Sequence, residues 1–202
     1  PATFSIAGEI NVSVLQTCLD KIIQRHEVLR STIEVLNDEP MQVIQPFRSL
    51  NLEILDLRNL SNEQQASQRQ QQIERHSQQP FDLSKDLMLR GLLLHTADDH
   101  AELVLTIHHI ACDGWSIGVL LRELGQLYEA GLRGEQLELP ALPIQYADFA
   151  VWHKRYVLEH VYQQHLNFWQ AQLSGTLPLL NLPTDHARPA VKRDLGATVE
   201  YH

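Results

Sequence analysis

Apolar residues follow two different periods along the chain, and the changes between them predict its secondary structure. Alternation with a period of two, bounded by turn residues, predicts strands at Thr3–Ile10, Arg30–Leu36, Met41–Gln45, Leu52–Leu57, Leu87–His95 and Glu102–His108. Spacings of three and four residues predict helices from the Asn11 cap to about His26, from Ser61 to Gln79, and at Trp115–Ala130, Ile144–Val157 and Glu159–Leu173. Hairpins mixed with helices favour an α+β fold, with helices packed on a mixed β-sheet.

Composition and charge exclude several classes of protein. The formal net charge is -9, with 25 acidic and 16 basic residues, which argues against a nucleic-acid partner and against attraction to an anionic membrane. The apolar runs are too short to span a bilayer. The two cysteines, Cys18 and Cys112, form no disulfide framework or CxxC motif, so we expect a reducing compartment, the cytoplasm.

The segment from Ile107 to Ser116 carries the most distinctive chemistry. In a strand, His108 and His109 point to opposite faces, so one should face a site and the other the scaffold. A zinc site needs three or four ligands, and Asp113 is the only obvious third, so the pattern disfavours a metal. A free imidazole has a pKa near 6.5 and can accept a proton at neutral pH.

Asp113 and Gly114 follow the two histidines and are typical of a tight turn into the next helix. Asp113 could orient a catalytic histidine, or it could brace the loop by pairing with an arginine, and the turn position favours the brace. Cys112, the one nucleophile between His108 and Gly114, is expected to be a small buried filler.

Three stretches together resemble the condensation domains of nonribosomal peptide synthetases. The segment from His108 to Gly114 matches that family's HHxxxDG signature. Residues 25–33 resemble its RHExLRTxF motif, with Ser31 and Ile33 as departures, and residues 146–153 resemble its YxDFAVWQ motif, with His153 in place of Gln. The motifs occur in the family's order, and the resemblance covers nearly the whole chain.

The resemblance implies a role for each residue of the signature. His109 is the catalytic candidate, either deprotonating the acceptor amine or positioning it and stabilising the tetrahedral intermediate, and His108 belongs to the scaffold. Asp113 is structural and pairs with an arginine, Arg25 being the first choice and Arg30 the second. Gly114 lets the substrate arm approach the backbone.

The resemblance also implies an architecture and a set of partners. The expected fold is a chloramphenicol acetyltransferase-like lobe at residues 1–175, followed at 176–202 by a crossover or linker toward a C-terminal lobe outside this sequence. The expected reaction joins donor and acceptor aminoacyl groups on the phosphopantetheine arms of upstream and downstream peptidyl carrier domains, beside an adenylation domain. It implies no metal, no directly bound cofactor, no nucleic acid and no membrane.

Other functions stay open at this point. An epimerization domain or another acyltransferase of the superfamily would share the HHxxxDG signature, and an inactive carrier-docking lobe would need no chemistry at all. We expect residues 1–202 alone to be inactive, because the family's site lies between two lobes.

Overall fold

A computed structural model describes residues 1–136, 138–187 and 189–191. Contacts divide the chain into two compact units, Pro1–Lys154 and Arg155–His202. The predicted boundary between a lobe at 1–175 and a linker at 176–202 stays a prediction, and residues 188 and 192–202 of that linker lie outside the described residues.

The elements follow the predicted order along the chain. The strands are β1 (Ala2–Ala7), β2 (Ser31–Leu36), β3 (Glu39–Ile44), β4 (Leu52–Asp56), β5 (Leu89–Ala97) and β6 (His100–Ile107). The helices are α1 (Val12–Arg25), α2 (Asn62–Gln78), α3 (Gly114–Leu132), α4 (Tyr146–Tyr156) and α5 (Tyr162–Gln172), with a 3-10 turn at Glu27–Arg30 and a π-helical turn at Val157–Val161.

The first unit is built on a mixed four-stranded sheet of order β1-β6-β5-β4. β4 pairs parallel to β5, whereas the other neighbours are antiparallel. A separate β2–β3 hairpin turns at Asn37 and Asp38, whose φ angles of 52° and 62° lie in the left-handed region that these two residue types tolerate best after glycine. The predicted α+β fold, a mixed sheet with packed helices, is confirmed.

The two faces of the sheet bury different helices. One face packs against α1 and α3, and its cluster includes Leu93 and Leu103. α1 begins where the Asn11 side chain accepts a hydrogen bond from the Val14 amide at 3.1 Å, and its apolar stripe then meets this cluster. The other face carries Leu92, Leu94 and Val104 under α2.

α2 begins with a capping box between Ser61 and Gln64, and most of its surface is exposed. It is not wholly solvated, because His76 is buried and its Nδ1 lies 2.9 Å from the hydroxyl of Thr106 on β6. Burial lowers the pKa of His76.

Gly91 in β5 lies where the sheet has no room for a side chain. A Cβ atom there would lie 2.9 Å from Cδ1 of Leu52 and 3.3 Å from Cδ2 of Leu50. In the second unit, α5 follows the π-helical turn and buries none of its residues.

Candidate active site at the end of strand β6

The His-His segment forms a short turn between β6 and α3. β6 ends at Ile107, and the amide of His108 still donates to the carbonyl of Met88 at 3.0 Å. The amide of Ala111 then donates to the carbonyl of His108 at 2.9 Å, which closes the turn before α3 begins at Gly114. Backbone hydrogen bonds therefore fix the segment at its entry.

His108 is half-buried and engaged within the chain. Its ring meets the ring of Phe81 edge-on, with centroids 5.6 Å apart, and its Nδ1 accepts a hydrogen bond from the Ile110 amide at 3.1 Å. Both contacts hold the His108 ring against other parts of the chain, which agrees with the scaffold role predicted for His108.

His109 is exposed, and its imidazole makes no hydrogen bond to any residue that the structure describes. It lines an open pocket of about 210 Å³, together with Cys112, Asp113 and Gly114. We call this the histidine pocket. The two histidines thus have different neighbours, but β6 ends at Ile107, so the turn and not strand alternation separates them. Of the two, only the His109 ring makes no hydrogen bond to the described residues.

Asp113 caps α3 instead of pairing with an arginine. Its Oδ1 accepts hydrogen bonds from the amide of Ser116 at 2.9 Å and from its hydroxyl at 2.6 Å. The Ser116 hydroxyl in turn accepts from the Asp113 amide, which completes a reciprocal cap. These hydrogen bonds lower the pKa of Asp113, and a carboxylate suits the positive end of the helix dipole.

The predicted pairing of Asp113 with Arg25 or Arg30 is wrong in this structure, because both guanidinium groups have other partners. Arg25 Nε lies 3.1 Å from Glu123 on α3, and its Nη1 donates to the carbonyl of Pro140 at 2.6 Å. Arg30 pairs with Glu27 at 3.3 Å. The brace predicted for Asp113 is supplied locally by its own helix, three residues away.

Glu123 is a buried residue supporting this region that the sequence pattern did not predict. Its carboxylate also lies 2.6 Å from His26 Nε2, so it joins two residues of the RHE motif to α3. Gln145 adds to the connection, since its amide donates to the carbonyl of Arg25 at 2.9 Å and accepts from the amide of Glu27 at 3.2 Å. The available signal was the position of Glu123 on the apolar face of α3, three residues after Leu120 and four before Leu127.

Cys112 and Gly114 complete the histidine pocket. Desolvation raises the pKa of the Cys112 thiol, which keeps it neutral. Cys112 is only partly buried and lines the pocket, so the predicted buried filler is wrong. A Cβ at Gly114 would meet nothing within 4 Å, so the chain itself does not require glycine there. The predicted reason for Gly114, close approach of a substrate arm, stays a prediction.

Two features of the described residues bear on other functions. Residues 1–136, 138–187 and 189–191 hold no group of three His, Cys, Asp or Glu side chains arranged for a metal ion. Within the same ranges, none of the helices has the length and apolar character needed to cross a membrane.

The family profile named Condensation domain matches residues 1–200. The chain belongs to the condensation-domain family. It is 41% identical over 196 residues to chondramide synthase cmdD of Chondromyces crocatus, covering 97% of this chain and 5% of that protein. It is 39% identical over 196 residues to phosphinothricin tripeptide synthetase PhsC of Streptomyces viridochromogenes, covering 97% of this chain and 18% of that protein.

The fold of this condensation domain also matches a solved relative. The X-domain from teicoplanin biosynthesis superposes with a TM-score of 0.81 at 28% identity, over 94% of this chain and 41% of that chain. The chain therefore spans well under two thirds of the proteins it matches. The predicted resemblance to condensation domains of nonribosomal peptide synthetases is confirmed.

Proposed function

We propose that this chain supplies the His109 wall of a site that forms an amide between two carrier-bound aminoacyl groups in nonribosomal peptide biosynthesis. The observation that supports this most directly is the contrast between the two histidines. His108 is engaged with Phe81 and Ile110, whereas His109 presents an unengaged imidazole in an open pocket.

The proposed reaction is attack of an acceptor amine on a donor thioester. A C–N bond forms, the C–S bond breaks, and the proton lost by the amine ends on the departing thiol. His109 acts on the amine, by accepting its proton or by a hydrogen bond that positions it. No enzyme nucleophile is needed, which agrees with a Cys112 thiol kept neutral by burial.

The proposed partners follow from the chemistry of such a reaction. Both substrates ride on phosphopantetheine arms of upstream and downstream carrier domains, next to an adenylation domain, in the cytoplasm. The chain spans 41% of the X-domain chain, and we propose that a C-terminal lobe supplies the facing wall. Residues 1–202 alone should then give no turnover, and robust turnover from them would contradict the two-lobe site.

The test uses the full-length protein that contains this chain, with two loaded carrier domains, and follows dipeptidyl-carrier by mass spectrometry. His109→Ala should lower the rate by about 100-fold or more, the range typical of a lost acid–base group. His100→Ala is the matched control, because it removes a histidine from the other end of β6. It should keep the rate of the unsubstituted protein.

Each competing function has its own result in the same assay. Amide formation that survives His109→Ala unchanged would remove His109 from the mechanism. An inverted donor without amide formation would indicate epimerization, and carrier binding with neither product would indicate a docking domain.

A further inference from the structure

A second pocket of about 230 Å³ lies against the histidine pocket. Ile107 and Cys112 line both pockets, so these two side chains form a common wall. We call the second one the apolar pocket. Its position means that a substrate held at His109 has a second cavity within reach, on the other side of a small cysteine side chain.

The lining of the apolar pocket favours an uncharged, apolar group. Val28, Leu29 and Val119 form part of its wall, and among the residues that the structure describes neither a carboxylate nor a guanidinium lines it. Two polar side chains in the lining already have partners, because His26 Nε2 lies 2.6 Å from Glu123 and the Ser116 hydroxyl donates to Asp113. A charged group buried here would meet no carboxylate or guanidinium in the described lining itself, at a cost in desolvation.

The mouth of the apolar pocket is aromatic and open. Trp115 lines it although 85% of its surface is exposed, and Tyr146 lines it with 52% exposed. The size is sufficient for a large side chain, since an apolar cavity of about 150 Å³ is enough to hold benzene. A phenylalanyl or leucyl side chain therefore fits the volume and the chemistry.

We propose that the apolar pocket is the subsite for the apolar side chain of an aminoacyl thioester whose reacting group lies at His109. The proposal rests on the function proposed above for His109. Val119 is the position that sets the size of the subsite, because it lines the apolar pocket and not the histidine pocket. A change there alters the space for the side chain without adding an atom beside His109.

The test measures selectivity in the full-length protein, as the ratio of kcat/KM for phenylalanyl to alanyl substrates. One arm varies the donor and the other varies the acceptor, which shows whose side chain enters the subsite. Val119→Phe fills the pocket and should lower the ratio by about tenfold or more in one arm, the range for losing apolar contacts in a specificity pocket. Val119→Ala enlarges the pocket and should move the preference toward a tryptophanyl substrate.

Gln126→Phe is the matched control, because it adds the same ring at an exposed position of α3 and should leave the ratio unchanged. A general loss of activity from misfolding would lower the rates for all substrates together. A subsite predicts instead that Val119→Phe moves the preference toward the smaller side chain and Val119→Ala moves it toward the larger one. Equal ratios in all variants, with turnover intact, would overturn the subsite and leave the function of His109 standing.

A binding measurement separates the two proposals if turnover itself is absent. The probes are the N-acetylcysteamine thioesters of phenylalanine and alanine, titrated into the full-length protein with methyl NMR signals of Val28, Leu29 and Val119 observed. The phenylalanyl probe should shift these signals and bind more tightly than the alanyl probe, and Val119→Phe should abolish that preference. Equal binding of both probes, or a preference that survives Val119→Phe, would refute the subsite.

Discussion

Replacing Glu123 by alanine should destabilise the protein far more than the same change elsewhere on α3. Glu123 is 8% exposed and accepts hydrogen bonds from two charged or ionisable partners, Arg25 at 3.1 Å and His26 at 2.6 Å. Those contacts join helix α3 to the end of α1 across 98 and 97 positions of sequence. Glu123→Ala removes both at once.

The expected cost follows from the partners that remain. Hydrogen bonds to charged groups contribute about 1.5–3 kcal/mol each, which sets an upper range of roughly 3–6 kcal/mol for two. Part of this lost stabilisation is recovered, because the side chain of Arg25 is 17% exposed to water and keeps its hydrogen bond to the carbonyl of Pro140. We therefore expect a loss of about 2–4 kcal/mol in the free energy of unfolding.

Glu129→Ala provides the comparison. Glu129 lies on the same helix, its side chain is 75% exposed, and its pair with Arg133 is 4.0 Å long. The helix-propensity gain of alanine is the same at both positions, so the difference between the variants isolates the buried contacts. An exposed pair of this kind contributes about 0–1 kcal/mol, and Glu129→Ala should change stability by less than that.

Urea unfolding followed by far-UV circular dichroism measures both variants. A double-mutant cycle with Arg25→Ala then gives the coupling between Arg25 and Glu123, which should exceed about 0.5 kcal/mol. Equal unfolding midpoints for Glu123→Ala and Glu129→Ala, or no coupling to Arg25, would refute the connection between α1 and α3.

Three further predictions concern the scaffold. Gly91→Ala should lower the free energy of unfolding, measured with urea, by about 1–3 kcal/mol because its Cβ would crowd Leu52. Gly118→Ala on α3, with open space around its Cβ, should raise it by about 0.5–1 kcal/mol. Equal changes in the two variants would contradict the crowding at Gly91. Burial lowers the pKa of His76 in the folded state. Its contribution to the free energy of unfolding is therefore complete above its pKa in the unfolded chain, near 6.5, and is lost as the pH falls below that value. The urea concentration at the unfolding midpoint should decrease as the pH is lowered from about 7.5 to 5.5. His76→Gln should make this pH dependence weaker, and an unchanged pH dependence would argue against a role for His76. Asp113→Ala should lower the thermal midpoint by removing the α3 cap while Asp113→Asn keeps it; identical melting of the two would count against the cap.

Local patterns predicted the elements because their causes are local. The apolar spacing of α1 and its Asn11 cap, and the Ser61–Gln64 box of α2, each involve residues within one or two turns. The same is true of the hairpin turn at Asn37 and Asp38. The structure agrees with the sequence at each of these places.

The site was harder to predict where its contacts span long separations. Nothing near Glu123 indicates that its partners are Arg25 and His26, since the pairing exists only after α1 and α3 pack side by side. The predicted arginine partner of Asp113 was wrong for the opposite reason. A cap three residues away is available to that carboxylate as soon as the helix forms, before any distant arginine.

The sheet order has a consequence for how the protein is made. β1 has its registered partners in β6, where Ala2 faces Leu105, so this pairing cannot form until about a hundred further residues have been synthesised. At about 5–20 residues per second on the ribosome, that wait is of the order of 5–20 s. During it, the apolar stripe of α1, including Leu19 and Ile22, lacks the β6 part of the cluster that covers it. Nascent chains are therefore open to chaperones, and to aggregation, for that interval.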